Sequence, residues 1–217
     1  LETGTAKAAI ERRWPSALAL LGVAGMYGAL PEYLAWTPTW LLVVLVVLLE
    51  VPALFAHRRG QSRVAMYLGV TGSAIVTMFL LASVVLLVRA ALEHKKDPAH
   101  LLASAAGIWL ANILVFAGWY WRLDAGGPVE RERELGHDRG SFLFPQMNTD
   151  PSKLPRGQRL WTPAFIDYLF LAFNTSTAFS PTDTAVLSRW AKCLTMLQSL
   201  ISLTVIAVLV GRAVNAL

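Results

Sequence analysis

"FLAFNTSTAFSPTDTAVLSRWAKCL" fills residues 170–194. It closes one apolar stretch, residues 164–173, and opens a second, residues 193–211, which carries no charge. Between them stand Asn174, Thr175, Ser176, Thr177, Ser180, Thr182 and Asp183. The first stretch is about ten residues long, and crossing a hydrocarbon core of about 30 Å takes about 20 helical residues. Such a segment suits a re-entrant helix. Polar, non-helical backbone survives at membrane depth only where protein or water surrounds it. A short helix, a hydroxyl-rich turn and a long final helix meet that condition as a loop that enters the bilayer part-way and turns back.

The rest of the chain supports a membrane setting. Of 217 residues, 55% are hydrophobic and 15% charged, with a mean hydropathy of +0.51. That excess of apolar surface has to face lipid. The expected fold is an all-α polytopic membrane bundle. It has about five transmembrane helices, at 14–34, 39–55, 64–92, 99–121 and from about 187 onward, plus the re-entrant helix. Three regions follow: a four-helix membrane region at 1–121, a Gly-, Pro- and charge-rich connecting loop at 122–163, and a pore-like module at 164–217. "FLFPQM" (residues 142–147) is read as dipping to the interface. The first residue is Leu1 rather than methionine, as in a chain trimmed at its start, and no cleavable signal peptide is visible.

The net charge is +5 and the pI about 9.7. The basic residues flank apolar spans, so lipid phosphates are a simpler partner than nucleic acid. Lys7, Arg12, Arg13, Arg58, Arg59 and Arg63 face Lys95 and Lys96 across the short connectors, six against two. That favours a cytoplasmic N-terminus. His57, His94, His100 and His137 lack metal-ligand spacing, and Asp138 beside His137 has no nucleophile at a telling distance. Neither a cofactor nor an enzymatic activity is expected. The single cysteine, Cys193, reads as a small core residue.

Individual residues give sharper expectations. Gly22, Gly25 and Gly28 bare one face of the first span, for close packing or as glycines simply tolerated in lipid. The run 103–107 (Ala-Ser-Ala-Ala-Gly) reads as a tight helix contact. Trp119, Tyr120 and Trp121 read as an interfacial belt, with Trp161 and Tyr168 as further anchors. Glu50, near a span end, reads as snorkelling or pairing with Arg58, with an ion-pathway carboxylate as the other reading. Asn112 reads as interhelical glue. Thr195, Gln198, Ser199 and Ser202 share one helical face; they line a wet cavity or bond to a neighbouring helix. Ser180-Pro181-Thr182-Asp183 can start a helix as well as build a turn, with Asp183 capping it or pairing with Arg189.

Residues 167–183 resemble the pore helix and filter of potassium-type channels. Thr175 and Thr177 fall on two threonines at the filter base and Asp183 on the closing aspartate of that pattern. The family's V-G-Y-G is replaced by Phe179, Ser180, Pro181 and Thr182, residues that reach positive φ poorly or not at all. The resemblance therefore implies a pore loop with weak selectivity, with Thr175, Ser176, Thr177, Ser180, Thr182 and Asp183 as its ion ligands. It also implies a monovalent cation as cargo and a homo-oligomer, four copies by analogy. A second resemblance is to a group of bacterial integral membrane proteins. It is carried by "AFSPTDT" (178–184), "NILVFAGWYWRLDAGGP" (112–128) and "FLFPQM". It implies a multi-pass protein of the inner membrane and supplies no activity. The reading set against the channel is a non-conducting structural or interaction protein with the same loop.

Overall fold

The computed structural model describes residues 14–93, 98–133, 140–150, 153 and 161–216. The charges at Lys7, Arg12, Arg13, Lys95 and Lys96, and His94, His137 and Asp138, lie outside the described residues. In chain order the elements are α1 (Trp14–Gly28), α2 (Thr39–Arg58), α3 (Ser62–Glu93), α4 (Pro98–Leu123), α5 (Pro128–Arg133), β1 (Phe142–Leu143), α6 (Phe165–Thr177), β2 (Ala185–Val186) and α7 (Arg189–Ala216). Among the described residues four helices are long and apolar enough to cross a membrane: Thr39–Arg58, Arg63–Glu93, Ala99–Gly126 and Arg189–Val214. The chain is an all-α, multi-pass membrane protein. At 1.5 Å per residue the 32-residue α3 is about 48 Å long, so it tilts or projects.

The first span is shorter than the sequence suggests. α1 leaves its helix at Gly28 rather than residue 34. Its 15 described residues reach about 22 Å. Pro31, without an N–H, starts a separate 3-10 turn at Glu32–Leu34. The expected glycine face is used at one position among the three. A Cβ on Gly22 would lie 3.8 Å from Leu114 Cδ1, whereas Gly25 and Gly28 meet nothing within 4 Å.

α4 is the central helix, packed against α1, α3, α6 and α7. This overturns the interfacial belt. Tyr120 is fully buried and Trp121 nearly so, and Trp119 donates its indole N–H to Thr77 Oγ1 at 2.8 Å. Protein surrounds the end of α4, and the aromatic faces meet Phe142 and Phe165 edge-on. Tyr168 is likewise an interior residue, and Trp161 meets Phe144 edge-on. Phe142 and Phe144 of the connecting loop are buried by these rings rather than laid on an interface.

α2 and α3 form a hairpin turned at Gly60, whose φ is 75°. Glu50 of α2 is buried and pairs with Arg122 at the end of α4, at 2.7 Å, rather than with Arg58. Room for the guanidinium comes from α3. A Cβ on Gly69 would lie 1.7 Å from Arg122 Nη1. The run 103–107 also differs from expectation. Ser104 and Ala105 are buried, but Ala103 and Ala106 are exposed and Gly107 meets nothing within 4 Å. Cys193 is exposed on α7.

Candidate functional site

α6 extends one turn further than the apolar run that predicts it, through Thr177. Asp167 starts it, accepting the Ala164 N–H at 2.8 Å. Burial raises the Asp167 carboxyl above its ordinary range, opposed by hydrogen bonds from backbone N–H groups. Within the extra turn the threonine hydroxyls bond back to their own helix. Thr175 donates to Leu171 O at 2.8 Å and Thr177 to Phe173 O at 3.0 Å.

Three contacts fix the direction of α6. Tyr168 donates to Asp124, just past α4, at 2.7 Å. Phe173 meets the Trp109 ring. Ser176 Oγ accepts from Asn112 Nδ2 at 3.4 Å. The helix thus runs antiparallel to α4, from its end to its middle, since Asn112 lies midway along the Ala99–Gly126 span. Beside α7 it stops at Gln198–Ser202, midway along Arg189–Val214.

The chain then turns and climbs back. Ala178 N–H bonds to Asn174 O, and Thr184 N–H to Pro181 O. Asn174 Nδ2 donates to Thr182 Oγ1 at 3.1 Å, tying the return limb to the helix. Phe179 and Thr182 take φ of 53° and 51°. Thus the left-handed conformation denied to this turn by its lack of glycine is reached at two positions. β2 pairs antiparallel with β1, Phe142 opposite Val186 and Leu143 opposite Ala185. Leu187 N–H adds a bond to Ser141 O. The capping of α7 falls to Ser188, whose Oγ accepts from Ala191 N–H at 3.3 Å, not to residues 180–183.

The pore residues read from the sequence separate into two groups. Thr175 and Ser176 are fully buried and hydrogen-bonded inside the subunit. Thr177 is exposed at the end of α6, and Ser180, Thr182 and Asp183 are exposed on the turn and return limb. Among the described residues Asp183 makes no ion pair with Arg189.

The stripe on α7 faces α6. Gln198 Nε2 donates to Ala172 O at 2.7 Å and Ser176 Oγ at 2.8 Å. Ser202 donates to Ser176 O at 3.0 Å, and Ser199 to Thr175 O at 3.4 Å. Thr195 bonds back to Lys192 O. Gln198 and Ser202 are fully buried, Thr195 nearly so and Ser199 partly. Of the two readings of this stripe, the bonds between helices describe three of its four residues. Asn112 adds a bond to Gln198 O at 3.3 Å, and Tyr120 donates to Gln198 Oε1.

Three participants lie outside the candidate site residues read from the sequence: Tyr120, expected at an interface, Asn174, expected only as part of the polar run, and Asp124, which had no reading. Asp124 is fully buried, accepting from Tyr168 and from Ser141 N–H. Its signal was a carboxylate directly after an apolar span. Among the described residues no group of three His, Cys, Asp or Glu side chains could hold a metal ion.

This geometry defines a class: a helical membrane bundle whose penultimate helix runs half the length of its neighbours and turns back. No family model matches the chain, and no curated protein or solved structure does so either.

Proposed function

We propose that this protein is a pore-loop, ion-channel-like membrane protein that conducts cations with weak selectivity as a homo-oligomer around α7. One observation carries the reading. The half-length α6 ends midway along α4 and α7, and the polar turn that follows is exposed on the subunit. Lipid cannot face such a turn; water or another copy of the chain has to cover it. Exposed hydroxyls at Thr177, Ser180 and Thr182, with the Asp183 carboxylate, offer oxygen ligands to a cation on that water-filled side. The resemblance to potassium-type channels supports four copies and a monovalent cation, and the resemblance to bacterial integral membrane proteins supports an inner membrane.

A second reading is a non-conducting structural or interaction protein. It draws on the α6–α7 bonds, which occupy hydroxyls and an amide that a wet cavity would otherwise use. Purified protein in liposomes separates the two. Conduction predicts a cation flux that falls in Asp183→Asn and changes in Thr177→Ala, from particles whose mass is a multiple of the subunit. Intact oligomers without flux favour the second reading, and a monomer in the bilayer rejects the first.

A further inference from the structure

The link between α2 and α3 gathers exposed positive charge. Arg58, Arg59 and Arg63 fall within six positions there, and all three are exposed. Among the described residues none of them makes an ion pair. α2 ends at Arg58 and α3 begins at Ser62, so the chain reverses over three residues. Gln61 N–H bonds to Ala56 O and Gly60 N–H to His57 O, both at 2.9 Å, with Gly60 left-handed. These bonds close the end of α2. They also keep the three arginines together, because the axes of packed helices lie only about 8–10 Å apart.

Helix electrostatics account for only part of this charge. Arg58, in the last turn of α2, suits the negative end of that helix. Arg63 stands in the first turn of α3, the positive end, where there is no acidic residue. Three like charges and a helix N-terminus thus repel one another with nothing in the described chain to offset them. A local rule broken without internal compensation points to a partner outside the chain, and here that partner is an anion. Position decides which anion. The link joins the ends of two spans, Thr39–Arg58 and Arg63–Glu93, at the depth of lipid headgroups. One turn into each span stands an exposed aromatic ring: Phe55, 57% exposed, three residues before Arg58, and Tyr67, 74% exposed, four residues after Arg63. Each shares a helical face with its arginine. Cation above and ring below repeat the order of phosphate and acyl chain in a phospholipid. A soluble anion would use the arginines and leave both rings uncovered.

We infer that the α2–α3 link is a binding site for an anionic phospholipid, its phosphate held between Arg58, Arg59 and Arg63 and its chains lying on Phe55 and Tyr67. The site is separate from the α6 turn and does not depend on conduction.

The test is native mass spectrometry of the full chain, released from nanodiscs of equal parts phosphatidylglycerol and phosphatidylcholine with matched acyl chains. Retained phosphatidylglycerol should exceed phosphatidylcholine. That preference should fall about fivefold for each arginine replaced, in Arg59→Gln and then in Arg59→Gln/Arg63→Gln. Arg189→Gln/Lys192→Gln removes the same charge from the exposed start of α7 and should leave the preference unchanged. All four side chains are exposed, so these variants keep the fold of the parent. No preference for phosphatidylglycerol in the parent, an equal fall in the two double variants, or release of the bound lipid by millimolar inorganic phosphate overturns the assignment.

Discussion

α3 and α6 are held in the same bundle by different means. α3 has 32 residues and packs along α2 and α4. α6 has 13, and it is tied at nearly every turn: Asp167 to Ala164, Tyr168 to Asp124, Ala172 and Ser176 to Gln198, and Thr175 to Ser199. In lipid, apolar contact between helices has no hydrophobic drive beyond packing itself. A long helix accumulates enough packing; a half-length helix needs directional bonds. The difference teaches that polar residues at 195–202 hold α6 in place whether or not the protein conducts.

The largest expected effect lies on the α3 side. Arg122→Ala strands the buried Glu50 carboxylate and should cost about 3–5 kcal/mol in a reversible unfolding titration. Gly69→Ala should cost about 1–3 kcal/mol by pushing the guanidinium off its site. In an Arg122→Ala background the same substitution should reverse sign, stabilising α3 by up to about 1 kcal/mol. Additive losses would show that Gly69 serves something other than Arg122.

Gln198→Leu tests the α6 side. It should cost about 1–2 kcal/mol and raise amide exchange at 172–176 more than anywhere in α2 or α3. Equal loosening of both regions would erase the contrast between them. Tyr168→Phe leaves Asp124 with Ser141 N–H and should cost about 1 kcal/mol in the same titration.

Asp167→Asn is the smallest. The folded carboxyl is raised, so ionisation on folding is disfavoured and its stabilising contribution is lost as pH rises from the unfolded to the folded value. The variant should melt slightly higher than the parent at neutral pH. The gap should close below the ordinary carboxylate range. A gap that persists in acid would assign the effect to the cap bond at Ala164.

Hydropathy located α2, α3, α4 and α7 to within a few residues, because a span is a length of apolar sequence. It failed on which sides of those helices meet protein. Tyr120 and Trp121 look the same to hydropathy at an interface or inside a bundle, and only their neighbours Phe142 and Phe165, distant in sequence, decide it. Cys193 fails in the opposite sense: small and apolar, yet exposed. The partner of Glu50 is 72 positions away, beyond any local pattern. The candidate site was legible as a short helix and a polar turn. Its division was not, since Ser176 and Thr177 are adjacent and similar in chemistry, yet one is buried and the other exposed.

The two-rung pairing of β1 with β2 gives the connector between α4 and α6 a mechanical role. Phe142 lies directly opposite Val186, Leu187 N–H is bonded to Ser141 O, and Asp183 sits three residues before Val186 in the turn of the return limb. A displacement of the connector from outside the bilayer would be transmitted along that limb to Asp183. It would arrive without any spanning helix having to move.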